Sequence, residues 1–217
     1  YVSAFATLKK RDNATALLMG FGGGSLCREL KQENFEVDAV ELDKRMLPIA
    51  EKFFYLDNSH LHFIADDARH YVETNHKKYD LIVIVDVLEH INNYKQSLKN
   101  LYVLLNKGVF VFIHVPQPNQ KRIFSSLKNW HHDDHVYEGI KKKDIEGELK
   151  KLGFTIIASK ETFGFFGKLA WEINHLALAK SFVLVGLTFP FLYLLSIIDQ
   201  QLKNTEGLGV AVLAQKK

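Results

Sequence analysis

The sequence predicts an α/β fold: seven strands in one mostly parallel sheet, helices on both faces and an antiparallel last strand. Two observations carry this. Short apolar runs alternate with stretches of helical periodicity through the first 160 residues. Within the runs the apolar residues are consecutive rather than alternate, as in strands buried on both faces. Strand–helix alternation at this spacing is the doubly wound pattern.

Taken in order, residues 16–19 form the first apolar run, which ends in Gly20-Phe21-Gly22-Gly23-Gly24, and residues 25–31 read as a helix. A second strand covers 37–42 and a helical pattern 44–55. The third and fourth strands are 60–65 and 81–85, the latter all β-branched or leucine. Residues 94–105 place Leu98, Leu101, Tyr102 and Leu105 on one helical face, and Asn106-Lys107-Gly108 is expected to end that helix. Residues 109–115 make a fifth strand. A helix over 141–152 stops at Gly153, and 154–158 form the sixth strand. Residues 207–214 alternate as a final strand.

Two segments break the alternation. Residues 116–140 are rich in Pro, Asn, His and Asp and too long for a plain turn. Residues 176–198 are almost wholly apolar. The expected organisation is therefore a core over 1–161, an inserted apolar helical cap over 162–206, and a return to the core over 207–217. A single membrane crossing by the apolar run would leave the final strand on the wrong side of the bilayer. A hairpin broken at Pro190 would have arms too short to cross, since a span takes about 20 residues. A lid over the site or a homodimer interface is expected, with a patch lying in the membrane surface as the alternative. The last would suit a lipid-linked acceptor.

Hydrophobic residues are 47% and charged residues 24%, the balance of a globular protein, and the formal charge is only +3. The lysines are scattered among carboxylates, so no basic stripe favours a nucleic-acid partner. The single cysteine, Cys27, excludes an internal disulfide and suits a reducing compartment, so the cytoplasm is the expected location.

The chemistry-bearing residues fall at strand ends, where ligands of doubly wound sheets bind. Glycines at 20, 22 and 24 let the chain turn sharply and let a ligand approach the backbone. Their spacing departs from the G-x-G-x-x-G of dinucleotide binding. Glu41, at the second strand's end, offers paired acceptors to ribose hydroxyls. In Ala65-Asp66-Asp67-Ala68-Arg69 one acid is expected to cap the next helix, Asp66 being the candidate, while the other stays available to an adenine amino group. Asp86 ends the fourth strand in Tyr79-Asp80-Leu81-Ile82-Val83-Ile84-Val85-Asp86-Val87-Leu88-Glu89-His90 and should project into the cleft.

With these motifs in this order, the chain resembles class I S-adenosylmethionine-dependent methyltransferases, whose fourth strand carries FDLxxxxxVLEH in small-molecule groups. The resemblance covers residues 16–158 and implies a Rossmann-like fold and S-adenosylmethionine as cofactor. It implies that Gly20, Phe21, Gly22 and Gly24 cradle the methionine part. Glu41 and Leu42 would hold the ribose, Asp67 and Ala68 the adenine, and Asp86 would face the cofactor. One departure is Leu18, where the family usually has an acid two residues before the first glycine. The first half also resembles spermidine-synthase-like aminopropyltransferases, through Val40-Glu41-Leu42-Asp43 and Asp67-Ala68-Arg69. Asp86 lies one residue beyond their register, which favours methyl transfer. A non-catalytic module that keeps the cofactor pocket is a further class.

Methyl transfer to a hydroxyl gains from a base, and histidine suits neutral pH. Candidates lie in Asn129-Trp130-His131-His132-Asp133-Asp134-His135, where the resemblance points to His135. These residues could also bind metal, but neighbours in sequence rarely converge on one ion and no second ligand cluster is evident, so no metal is expected. His90 is expected to shape the pocket, and His114 to be a satisfied core residue.

Overall fold

The computed structural model describes residues 14–128 and 135–217. Its seven strands are β1 (Thr15–Met19), β2 (Glu36–Glu41), β3 (Leu61–Ala65), β4 (Tyr79–Val85), β5 (Leu105–Pro116), β6 (Phe154–Thr162) and β7 (Gly209–Lys216). They form one sheet in the order β3-β2-β1-β4-β5-β7-β6. β3, β2, β1, β4 and β5 pair in parallel, and β7 runs antiparallel to both β5 and β6. The expected Rossmann-like arrangement of seven strands with an antiparallel last strand is what the chain adopts.

The consecutive apolar residues of each strand divide between two cores. Leu17 and Met19 of β1 join Ile82, Ile84, Val111 and Ile113 on one face, whereas Ala16 and Leu18 join Val37, Ala39, Leu81 and Val83 on the other. Each side of the pleat therefore needs its own helices. The first face is covered by α3 (Ala68–Thr74), α4 (Tyr94–Leu104) and α5 (Lys142–Lys151), through Val72, Leu98, Leu101, Ile145 and Leu149. The second is covered by α1 (Ser25–Gln32) and α2 (Met46–Phe54), through Cys27, Leu30 and Ala50.

Three details differ from the sequence reading. Residues 106–108 do not close a turn; β5 already starts at Leu105, which pairs with Tyr79. The extra residues are taken up by a bulge before Leu81 pairs with Phe110, where Gly108 turns at φ +75°. Next, β6 runs four residues further than expected, to Thr162, because β7 pairs along its whole length. Finally, the inserted segment folds as α6 (Phe165–Leu178) and α7 (Phe182–Gln201), and Pro190 lies inside α7 without breaking it. The break falls instead at Ser181, whose hydroxyl accepts from the Val183 N–H at 3.1 Å and caps α7.

A buried carboxylate ties β2 to β4. Asp38 accepts from the Tyr79 hydroxyl at 2.6 Å and from Lys77 Nζ at 2.7 Å. Burial and the adjacent Asp38 push the Tyr79 phenol far above its ordinary range. The sequence reading did not anticipate this network.

Candidate active site

The site grows from the end of β1. Gly20 N donates to Val40 O at 3.0 Å, which carries the chain across the tip of β2. Gly20 and Gly22 then take φ of +82° and +52°, a region open to glycine without the Cβ penalty. A Cβ on Gly20 would lie 2.8 Å from Val87 Cγ2, so the loop after β4 can approach only a bare backbone. Phe21 turns its ring inward, against Phe63 at 5.1 Å, and leaves its main chain on the surface of the cleft.

Glu41 meets this loop. Its Oε2 accepts from the Phe21 N–H at 3.0 Å and the Gly22 N–H at 3.4 Å, and Oε1 accepts from the Asp43 N–H at 3.1 Å. A carboxylate has about four acceptor positions, so Glu41 is a clamp on the glycine loop with capacity left for one further donor. The two acids after β3 divide their work in the reverse of the expected sense. Asp67, not Asp66, caps α3, accepting from the Arg69 N–H at 2.8 Å while gripping the Arg69 guanidinium at 2.6 Å. That side-chain hydrogen bond is the main reason the Asp67 carboxyl sits below its ordinary range. Asp66 accepts from the Asp67 N–H at 2.8 Å and pairs with His70 at 2.7 Å.

Asp86 ends β4 in a left-handed conformation, φ +52°. Its N–H donates to His114 O at 3.1 Å, and its Oδ1 lies 2.7 Å from His114 Nδ1. The other ring nitrogen of His114 lies 2.9 Å from the Thr162 hydroxyl. His114 is thus a buried, satisfied histidine, as expected, but it also holds a residue of the site.

These strand tips enclose a cavity of about 690 Å³, within the range of small-molecule sites. Gly20, Phe21, Gly22, Glu41, Leu42, Asp67, Ala68 and Asp86 all line it. Gly24, the remaining expected contact, does not. At φ +77°, with a prospective Cβ 3.0 Å from Leu56 and 3.1 Å from Phe21, it lets α1 start close against the core. Leu18 is buried in that same core. Asp66, Val87, His90 and Ile91 also line the cavity. His90 was expected to shape the pocket and Asp66 was weighed as a cap, whereas Val87 and Ile91 carried no signal beyond following Asp86.

A second cavity of about 360 Å³ shares Asp86 and His90 with the first. His114, Pro116, Gln120, Phe163, Trp171 and Leu208 contribute to its wall, as do Glu89 and His135. His135 packs its ring edge-on to His90 at 4.6 Å. Residues 129–134, which include the other candidate histidines His131 and His132, lie outside the described residues. The main-chain carbonyl of Glu89 accepts from Val136 N and Tyr137 N at 3.0 and 3.1 Å, which docks this loop on the turn after β4. Ligand atoms of Glu89, His90 and His135 lie within 4.8 Å of one another, a spacing that could hold a divalent cation. The expectation of no second ligand cluster overlooked Glu89 and His90, which topology rather than sequence proximity brings to His135.

The methyltransferase-domain family profile matches residues 2–159. The chain belongs to this family. S-adenosylmethionine is the family's cofactor, and the larger cavity offers glycine-loop main chain and strand-end carboxylates suited to it. Among curated proteins, the ubiquinone biosynthesis O-methyltransferase of Aliivibrio fischeri is 22% identical over 103 residues, 48% of this chain and 44% of that protein. The chain therefore matches less than half the length of that relative. Among solved structures, an S-adenosylmethionine-dependent methyltransferase from Archaeoglobus fulgidus superposes with a TM-score of 0.61 at 17% identity, over 94% of this chain and 86% of that one. Phosphoethanolamine N-methyltransferase 2 of Haemonchus contortus, in complex with S-adenosyl-L-methionine, gives 0.66 at 19% identity, over 96% and 50%. At these identities the structural likeness concerns the fold.

Proposed function

We propose that the chain transfers a methyl group from S-adenosylmethionine to a hydroxyl of a small or lipid-linked acceptor. The observation that carries this reading is the shared wall: Asp86 and His90 belong to both cavities, so ligands in the two would meet there. The larger cavity takes the cofactor and the smaller one the acceptor. The name of the Aliivibrio fischeri relative supports an oxygen as the methylated atom.

The cofactor supplies an activated methyl on a sulfonium, so the protein's task is alignment and exclusion of water. The glycine loop and Glu41 hold the amino-acid and ribose parts. Asp66, with Asp67 committed to its cap, receives the adenine edge. Phe163, Trp171 and Leu208 give the acceptor cavity apolar walls suited to a ring. His135, beside His90 in that cavity, takes the hydroxyl proton.

Calorimetric titration tests the first half: S-adenosylmethionine and its demethylated product should both bind. Preference for the decarboxylated cofactor would favour aminopropyl transfer instead. A metabolite screen for the gain of one methyl group tests the second half, and His135→Ala should lower turnover while leaving cofactor affinity intact. Binding without turnover on any acceptor would leave a cofactor-binding module.

A further inference from the structure

Helix α7 carries no charge from Phe182 to Ile198, and the α6–α7 hairpin has its own small core. Leu192 and Leu195 pack on Ala170 of α6, with Phe166, Leu169 and Ile173 around them. Most of the other large apolar side chains of α7 are bare: Phe182 is 82% exposed, Leu187 75% and Tyr193 59%, and Phe189, Phe191 and Leu194 are all more than half exposed. At 100° per residue these six spread over roughly 200° of the helix circumference. An ordinary surface helix hides its apolar stripe and turns a polar face to water. Here the face turned away from the protein is the more apolar one.

The width of that arc selects the occupant. A second copy related by a two-fold axis would cover a single strip of α7, leaving large apolar side chains on both flanks in water. A fluid apolar phase covers the whole arc. Charge agrees with this. The two acids within the hairpin helices are drawn inward: Glu172 accepts from Ile123 N and Phe124 N, and Asp199 accepts from Gly164 N. Lys180, between the helices, and Lys203, just after α7, are exposed, as are Lys121 and Lys128 on the segment that Glu172 holds. Glu206 is the exposed acid at the base. Exposed ammonium groups flanking an apolar surface match anionic headgroups over an acyl layer.

Topology fixes the mode. Residue pairs Thr162–Gly209 and Glu161–Val210 place both ends of the insertion side by side on one edge of the sheet. The segment must leave and return on the same side of a bilayer, and α6, with Lys168, Glu172 and His175 along it, is no return span.

We propose that the α6–α7 hairpin docks the protein on an anionic lipid bilayer, with the outer face of α7 lying at the headgroup–acyl boundary. This takes up the membrane-surface alternative of the sequence reading in preference to its lid or dimer. Phe163, Trp171 and Leu208, at the base of the hairpin, also line the smaller cavity, so docking sets the acceptor pocket beside the lipid; this last step rests on the proposed reaction.

The test is flotation of the full chain through a density gradient with vesicles of phosphatidylcholine, alone or mixed with phosphatidylglycerol. Most of the protein should float with the mixed vesicles and less with the neutral ones. Leu187→Asp with Phe191→Asp should lower partitioning at least tenfold while leaving the unfolding midpoint and S-adenosylmethionine affinity unchanged. Lys180→Glu with Lys203→Glu should weaken binding to the mixed vesicles alone. Wild-type protein that stays at the bottom with both vesicles would overturn the proposal, as would a double aspartate variant that floats like wild type. A stable dimer in sedimentation that the aspartates split, without flotation, would assign α7 to a second copy. The cofactor titration, read on the same preparation, keeps failure here separate from failure of the methyl-transfer reading.

Discussion

His114 and Asp86 are joined twice where β4 ends. The Asp86 N–H donates to the His114 carbonyl at 3.1 Å, and the Asp86 carboxylate lies 2.7 Å from His114 Nδ1. The main-chain link continues the parallel ladder in which Val85 pairs with His114, and the side-chain link fixes the first residue beyond it. An ionised Asp86 makes Nδ1–H the donor to it, and Nε2 lies 2.9 Å from the Thr162 hydroxyl. Three strands, β4, β5 and β6, thereby hold one carboxylate at the wall between the two cavities.

Holding it there keeps a non-glycine residue at φ +52°. Asp86→Gly and Asp86→Ala both remove the carboxylate, but only glycine adopts this backbone without strain. Urea unfolding should place the alanine variant about 1 kcal/mol below the glycine variant. Equal midpoints would mean that the turn relaxes freely.

Glu41→Ala removes both the clamp on the glycine loop and the acceptor offered to the cofactor. Calorimetry should show S-adenosylmethionine affinity weakened by at least about 1 kcal/mol. An unchanged affinity would take Glu41 out of the cofactor site.

Asp67→Ala should cost about 1 kcal/mol of stability through loss of the α3 cap. Asp67→Asn keeps a capping oxygen and isolates the charge. Because Arg69 lowers the Asp67 carboxyl in the folded state, its contribution is present above the unfolded value of about 3.9 and is lost as pH falls through the depressed folded value. The difference between wild type and the asparagine variant should therefore shrink between pH 7 and pH 3 in urea titrations. A gap that widens toward acid would reverse the sign and refute the pairing.

Cys27, on the inner face of α1, is wholly buried, and burial pushes its thiol up to about 11. A disulfide reagent at pH 8 should leave the folded protein unlabelled and react fully in denaturant. Rapid labelling of the native protein would show that α1 opens.

Asp199 Oδ2 accepts from the Gly164 N–H at 3.0 Å and from Asn204 Nδ2 at 3.2 Å, which binds the end of α7 to the start of α6. Asp199→Ala should cost about 1–3 kcal/mol. Hydrogen exchange should accelerate in residues 163–208 and stay unchanged in β1 and β4. Uniform acceleration throughout the chain would mean that the hairpin is part of the global folding unit.

How much of this was legible in the sequence varies with the physics of each part. The strands of the parallel sheet were, because burial on both faces writes itself as consecutive apolar residues, as in Leu81-Ile82-Val83-Ile84-Val85. Strand tips were legible too, since glycines and acids interrupt those runs, and Gly20, Glu41, Asp67 and Asp86 duly line one cavity. Which of two adjacent acids caps a helix was not: Asp66 and Asp67 differ only in the backbone direction each finds at the end of β3. Whether Pro190 breaks the apolar run was not legible either, because one missing hydrogen bond is weighed against a whole apolar helix. The meeting of Glu89, His90 and His135 depends on a long connection folding back, for which local periodicity carries no signal.

The pairing of Thr162 with Gly209 makes the two ends of the insertion neighbours, so the sheet sets no required length for what lies between them. A tight turn would satisfy the β6–β7 junction as well as two helices do. Evolution could exchange this segment wholesale, altering where the protein works and what it meets, while the nucleoside-binding half stays as it is.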